Sequence, residues 1–208
     1  YEAGLRTPKR PFICGGEDSY GFMAGDFVRD KDAVVACSLA AQMCARWKHE
    51  GKDAEQVLDR MFQAHGCYQE SLYNLVLPGK AGAEAIAHMM NNLRENLPTS
   101  IDSIPVAKVH DFRAQQTFVC ENDKFQSGPN IPIPQSNVLQ FVLVDGTKVS
   151  VRPSGTEPKI KFYISVRDGS AQGCADQDLP AIKEACVKRV ARLESWFVER
   201  VQGNGDPG

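Results

Sequence analysis

Apolar positions recur at helical spacing from about Ala33 to His49, where Ala33, Ala36, Cys37, Ala40, Ala41, Cys44 and Trp47 would share one buried face. Asp32 is placed to cap that helix and Gly51 to stop it. A second helix begins at Asp53, with Val57, Leu58, Met61 and Phe62 on its inner face, and His65-Gly66 ends it. Before these helices, Pro11-Phe12-Ile13-Cys14 reads as a short strand that delivers the loop starting at Gly15-Gly16. Two helices with apolar faces require a sheet to pack on, and this stretch supplies one clear strand. Apolar faces left uncovered in that way invite misfolding or association.

From Cys67 the pattern changes. Ser71 to Leu77 reads as a strand, Pro78-Gly79 as a turn, Ala81 to Leu97 as a helix closed by Pro98, and Val106 to Phe112 as another strand. Residues 113–136 lack apolar periodicity and are rich in Gly, Pro, Asn and Gln, which predicts an excursion or an extended hairpin loop. Val138 to Val144 and Lys148 to Arg152 form a hairpin about Asp145-Gly146. Ile160 to Val166 is a further strand. A last helix follows from about Pro180 to Val201, burying Ile182, Cys186, Val190, Leu193 and Phe197. The order β-α-β-β-β-α predicts one sheet with two helices on a single face.

Between two of those strands lies Arg152-Pro153-Ser154-Gly155-Thr156-Glu157-Pro158-Lys159-Ile160-Lys161. It concentrates a guanidinium, two hydroxyls, a glycine and two ammonium groups in one turn. Gly155 permits close backbone approach, successive N–H groups can form an anion-binding concavity, and Arg152 can make a bidentate pair with a phosphate. Pro153 and Pro158 stiffen the shoulders, which lowers the entropy lost on binding. The same residues are ordinary turn vocabulary, and cations beside a strand can serve only to solubilise an edge. The nucleotide P-loop pattern is not present.

Composition excludes more than it selects. Hydrophobic residues make up 42% and charged residues 24%, ordinary for a globular chain, and the net charge is −2. That balance argues against nucleic acid or a membrane surface as the partner, and no apolar run approaches spanning length. Seven scattered cysteines without a Cys-x-x-Cys pair fit free thiols in a reducing cytoplasm. They do not cluster with His49, His65, His88 or His110 as zinc ligands would. No residue reads as a convincing general acid, base or nucleophile: Ser19 and Ser154 have no histidine in sequence reach, and Gly-x-Ser-x-Gly is absent.

The string from Arg152 to Lys161 resembles the phosphate-binding loop in the last domain of the α-D-phosphohexomutases, the phosphoglucomutases and phosphomannomutases. Gly15-Gly16-Glu17-Asp18-Ser19-Tyr20-Gly21-Phe22 is similar to the sugar-binding loop of the same family. The two occur in the family's order, and Ser136-Asn137-Val138-Leu139-Gln140-Phe141 with Asp145-Gly146 is similar to the phosphoglucomutase/phosphopentomutase branch. The resemblance implies the remnant of an α/β domain over residues 1–66, carrying the sugar loop. It also implies a TATA-box-binding-protein-like α+β domain, β-α-β-β-β-α, over residues 67–208, carrying the phosphate loop.

By the same resemblance, Arg152, Ser154, Gly155, Thr156 and Lys161 would hold the non-reacting phosphate, and Glu17 and Ser19 would bond adjacent sugar hydroxyls. Asp18 would point away, and Tyr20 stands where some members carry histidine. The family's phosphoserine loop, Thr-Ala-Ser-His-Asn-Pro, and its magnesium loop, Asp-Gly-Asp-x-Asp-Arg, do not occur in these 208 residues. The expectation is therefore a carboxy-terminal part with no catalytic or metal-binding residue of its own. Mg2+ and the missing amino-terminal domains would complete it, with turnover through a glucose 1,6-bisphosphate-type intermediate. A stand-alone phosphosugar-binding regulatory module is the rival reading.

Overall fold

The structure is a computed structural model, and it describes residues 12–17, 21–155 and 157–201. The chain divides into two compact units, residues 1–60 and 61–208.

In the first unit, strands β1 (Cys14–Gly16) and β2 (Phe22–Ala24) pair antiparallel, with Gly16 opposite Phe22. Ile13 stands outside the strand and is exposed, so the strand expected from Pro11 begins later; Pro11 itself lies outside the described residues. Helix α1 (Ala33–His49) starts where Asp32 caps it, its carboxylate accepting from the amides of Val34 and Val35 at 2.9 and 3.1 Å. The chain then turns at Gly51, whose φ of +68° suits glycine. Helix α2 (Ala54–His65) opens on a reciprocal box: Gln56 N donates to Asp53 Oδ1 and Asp53 N to Gln56 Oε1.

Neither helix buries a residue. Of the face predicted for α1, Ala36 and Trp47 are half-buried and the rest is exposed. On α2, Leu58 and Met61 are exposed, and Phe62 alone of the expected four packs on the second unit's core, in the part of the helix that belongs to that unit. The burial expected from periodicity is therefore not found on α1, where Val34, Leu39 and Met43 lie outside the predicted face, and no described residue of the first unit buries either helix.

The second unit is one antiparallel sheet with two helices on one face. Its strands are β3 (Cys67–Val76), β4 (Ser100–Ile101), β5 (Ile104–Asp111), β6 (Gln116–Glu121), β7 (Lys124–Asn130), β8 (Leu139–Leu143), β9 (Lys148–Pro153) and β10 (Lys159–Asp168). They run in the spatial order β3-β10-β9-β8-β5-β6-β7, with β4 paired to β5. Helices α3 (Gly79–Glu95) and α4 (Leu179–Val201) lie against the face made by Val149, Val151, Ile160, Phe162, Ile164 and Phe141. Ile86, Met90 and Leu93 descend from α3; Cys186, Val190, Leu193 and Phe197 descend from α4. Phe197 is central, its ring 5.3 Å from that of Phe162 and 6.0 Å from that of Phe141. Gly82 lets α3 fold back on its own approach, since a Cβ there would sit 1.9 Å from the Leu77 carbonyl oxygen.

The stretch expected to be an excursion or an extended hairpin loop holds two strands, and β4 was not anticipated. Residues 116–130 form the β6–β7 hairpin and extend the sheet. Its tip, Asn122-Asp123, takes φ of +50° and +59°, the tight turn that matches strand twist. Strands β3 and β10 are also longer than expected, because they pair along all ten residues from Cys67–Asp168 to Val76–Lys159.

Candidate functional site

The β9–β10 connection carries the anion-binding vocabulary. Ser154 N donates to Lys159 O at 2.8 Å, and Lys159 N donates to Glu157 O at 2.7 Å, so the connection closes as a compact loop. Its far shoulder is tied down where Leu77 N donates to the Pro158 carbonyl at 2.9 Å. That bond sets the loop beside the first turn of α3, because β3 feeds α3 through Leu77-Pro78.

A cleft of about 620 Å³ opens there. Ala83, Ile86, Ala87 and Met90 of α3 form its apolar floor, while Ser154, Gly155, Glu157, Lys159 and Asn137 supply polar groups. Asn137 was read only as part of a family string. Its Oδ1 accepts from Arg94 Nη2 at 2.6 Å, and Arg94 is held in turn by buried Asp111 at 3.2 Å. No spacing in the sequence marks that link, since Arg94, Asp111 and Asn137 stand on three different segments.

The predicted phosphate residues divide between two sides of the loop. Ser154 and Gly155 line the cleft. Arg152 and Lys161 are cross-strand partners on β9 and β10, pointing to the face that α3 and α4 leave uncovered. Arg152 is exposed and Lys161 half-buried. No carboxylate among the described residues pairs with either. Lys159 differs: Glu157 accepts from it at 2.7 Å, and that contact holds the Glu157 carboxyl below its usual range. Thr156 lies outside the described residues.

Gly155 is informative through what surrounds it. Its φ is not positive, and a Cβ added there would meet nothing within 4 Å. No contact within the described residues demands glycine at this position.

In the first unit, Glu17 directly follows β1, and its amide donates to Gly21 O at 2.8 Å, closing the turn. Its carboxylate lies 3.5 Å from Lys31 Nζ, with both side chains about half exposed. Lys31 is pulled up from its ordinary pKa by Asp30 first and Glu17 second. Asp18, Ser19 and Tyr20 lie outside the described residues. Among the described residues, no three His, Cys, Asp or Glu side chains come together to hold a metal ion. None of the seven cysteines forms a disulfide.

Residues 4–65 match the family model for the α/β/α domain III of phosphoglucomutase/phosphomannomutase, and residues 78–177 match that for its C-terminal domain. The chain belongs to the phosphoglucomutase/phosphomannomutase family. Among curated phosphoglucomutases, that of Staphylococcus epidermidis is 34% identical over 160 residues, and that of Staphylococcus aureus strain MRSA252 is 35% identical over 155. These alignments take in 77% and 74% of this chain, but 29% and 27% of the relatives. The chain thus spans under a third of the phosphoglucomutases it matches. The open form of pp63/parafusin, a Paramecium phosphoglucomutase, superposes with a TM-score of 0.56 at 17% identity, over 99% of this chain and 34% of that one. At that identity the likeness bears on the fold alone. The mixed α/β architecture expected from the sequence is the one shared with this family.

Proposed function

We propose that this chain supplies the sugar- and phosphate-holding side of a mutase that interconverts hexose 1-phosphate and hexose 6-phosphate. Ser154, Gly155 and Thr156 grip the phosphate that is not reacting, Arg152 and Lys161 add positive charge from the other side of the loop, and Glu17 and Ser19 bond neighbouring hydroxyls. A carboxylate beside a vicinal diol can accept from both donors, and the Glu17 carboxylate lies 3.5 Å from the Lys31 ammonium. Holding one phosphate while the other reacts turns remote binding energy into orientation of the reacting end.

A phosphoserine and Mg2+ from domains outside this chain would supply the chemistry, by way of a bisphosphate intermediate. The described residues offer no ligand set for the metal, so none of their roles is routed through it. Alone, the chain binds and does not turn over. Seven cysteines without a Cys-x-x-Cys pair or a disulfide favour a reducing, cytoplasmic setting.

The observation that carries this reading is the loop itself: a glycine that no contact among the described residues demands, beside two cations without carboxylate partners there. Calorimetric titration with glucose 1-phosphate tests it. Arg152→Ala should weaken binding by about 1–3 kcal/mol, the range for a charged hydrogen-bond donor. Equal affinity in wild type and variant would remove the assignment, and measurable isomerisation by the purified chain would remove the claim that it is inactive alone.

A further inference from the structure

The sheet face opposite α3 and α4 has a composition unlike that of the chain as a whole. Cross-strand register puts Asn74, Lys161 and Arg152 in one row, and Leu72, Tyr163, Ser150, Gln140 and His110 in the next. A third row holds Glu70, Ser165, Lys148, Val142 and Lys108. Arg167 stands opposite Tyr68 beyond them. On these five strands Lys108, Lys148, Arg152, Lys161 and Arg167 share the face with Glu70, and Lys159, opposite Val76, is paired with Glu157, although the chain's net charge is −2. Lys108 and Lys148 flank Val142 across two strand spacings, roughly 10 Å. Both are exposed and have no carboxylate partner among the described residues. Their charges bear on His110 as well, second to burial in pushing its pKa down.

The β3 margin of the same face adds exposed apolar side chains beside Glu70 and Asn74. On the outermost strand, β3, Leu72 is 42% exposed and Val76 58%. We propose that this face docks an acidic protein surface with an aliphatic margin, carboxylates meeting Lys108 and Lys148 and apolar side chains meeting Leu72 and Val76. Single-stranded nucleic acid fits less well, because it needs free rings for stacking. Tyr68 is engaged by Arg167, whose Nε donates to its hydroxyl at 3.1 Å, and His110 is bonded to the Thr117 hydroxyl at 2.9 Å. Tyr163 is the ring left among the cations. Strand spacing and rise give the face roughly 20 by 13 Å. Such a patch suits a transient, charge-steered contact better than a permanent one.

The test follows the amide spectrum of the 15N-labelled chain during titration with a synthetic amphipathic Glu/Leu peptide, with an oligo-dT strand as comparison. The expected result is shifts at Leu72, Val76, Lys108 and Lys148. The double variant K108E/K148E should lose about tenfold or more in affinity, in keeping with charge reversal at a complementary interface, with an unchanged melting temperature. Added salt should weaken binding, and L72S/V76S should weaken it further at a fixed salt concentration. Absence of shifts on this face, peptide binding that survives K108E/K148E, or tighter binding of oligo-dT to the same residues would each overturn the proposal. Neither Lys108 nor Lys148 belongs to the phosphate loop, so glucose 1-phosphate affinity stays as a separate readout.

Discussion

Helices α1 and α4 carry comparable apolar sequence and meet opposite fates. Val34, Leu39 and Met43 of α1 stay exposed, whereas Cys186, Val190, Leu193 and Phe197 of α4 are buried on a sheet. Spacing on a helix decides which residues share a face. Whether that face leaves water depends on a partner layer, which the second unit has and the described residues of the first do not provide. Stability should therefore be concentrated after Met61, with α1 held mainly by its caps and end charges.

The strongest way to break this contrast is a matched pair of truncations. Phe197→Ala should cost about 3–5 kcal/mol, the range for emptying an aromatic site in a packed core, read as a lowered urea midpoint. Leu39→Ala should stay within about 0.5 kcal/mol, as an exposed substitution does. A large loss at Leu39 would mean that α1 is covered after all, for example by a second copy of the chain.

A pair of glycines sharpens the contrast at smaller scale. Gly82→Ala gains about 1 kcal/mol of helix propensity, yet its methyl would collide with the Leu77 carbonyl. Overpacking of that kind costs about 1–3 kcal/mol, so net destabilisation is expected on thermal melting. Gly155→Ala meets open space and should leave the melt unchanged while reducing affinity for glucose 1-phosphate. If Gly155→Ala leaves affinity intact, the ligand does not approach the loop closely.

The smallest effect belongs to α1's end. Arg46 and then Lys52 hold the Glu50 carboxyl at about 2, against an ordinary 4.5. A depressed folded value means that the contribution is complete above about 4.5 and disappears as the pH falls through about 2. Amide protection factors near Lys48–Gly51, taken relative to the intrinsic exchange rate at each pH, should fall over that window, and Glu50→Gln should flatten the response.

The sequence made the second unit's core readable, because β8, β9 and β10 alternate strictly and α4 keeps its period through Phe197. It concealed β6 and β7, since a strand at the sheet margin buries little: Gln126 and Ser127 are exposed, and Gly128 and Pro129 look like loop residues. The Asn122-Asp123 turn was the available signal for that hairpin. Arg152 and Ser154 were legible as site residues from chemical type. Their assignment to different sides of the loop was not, because it depends on which face of β9 the helices cover. Asn137 and the α3 floor of the cleft needed tertiary contacts that no local pattern records.

The backbone link from Leu77 to Pro158, at the end of the β3–β10 ladder, has a mechanical meaning. It fastens the loop to the root of α3, so whatever pulls on Ser154 or Gly155 also pulls on the helix beneath them. An occupied loop would be felt as tension in the Gly79–Gly82 turn, making those amides a built-in reporter some distance from the charge that triggers them.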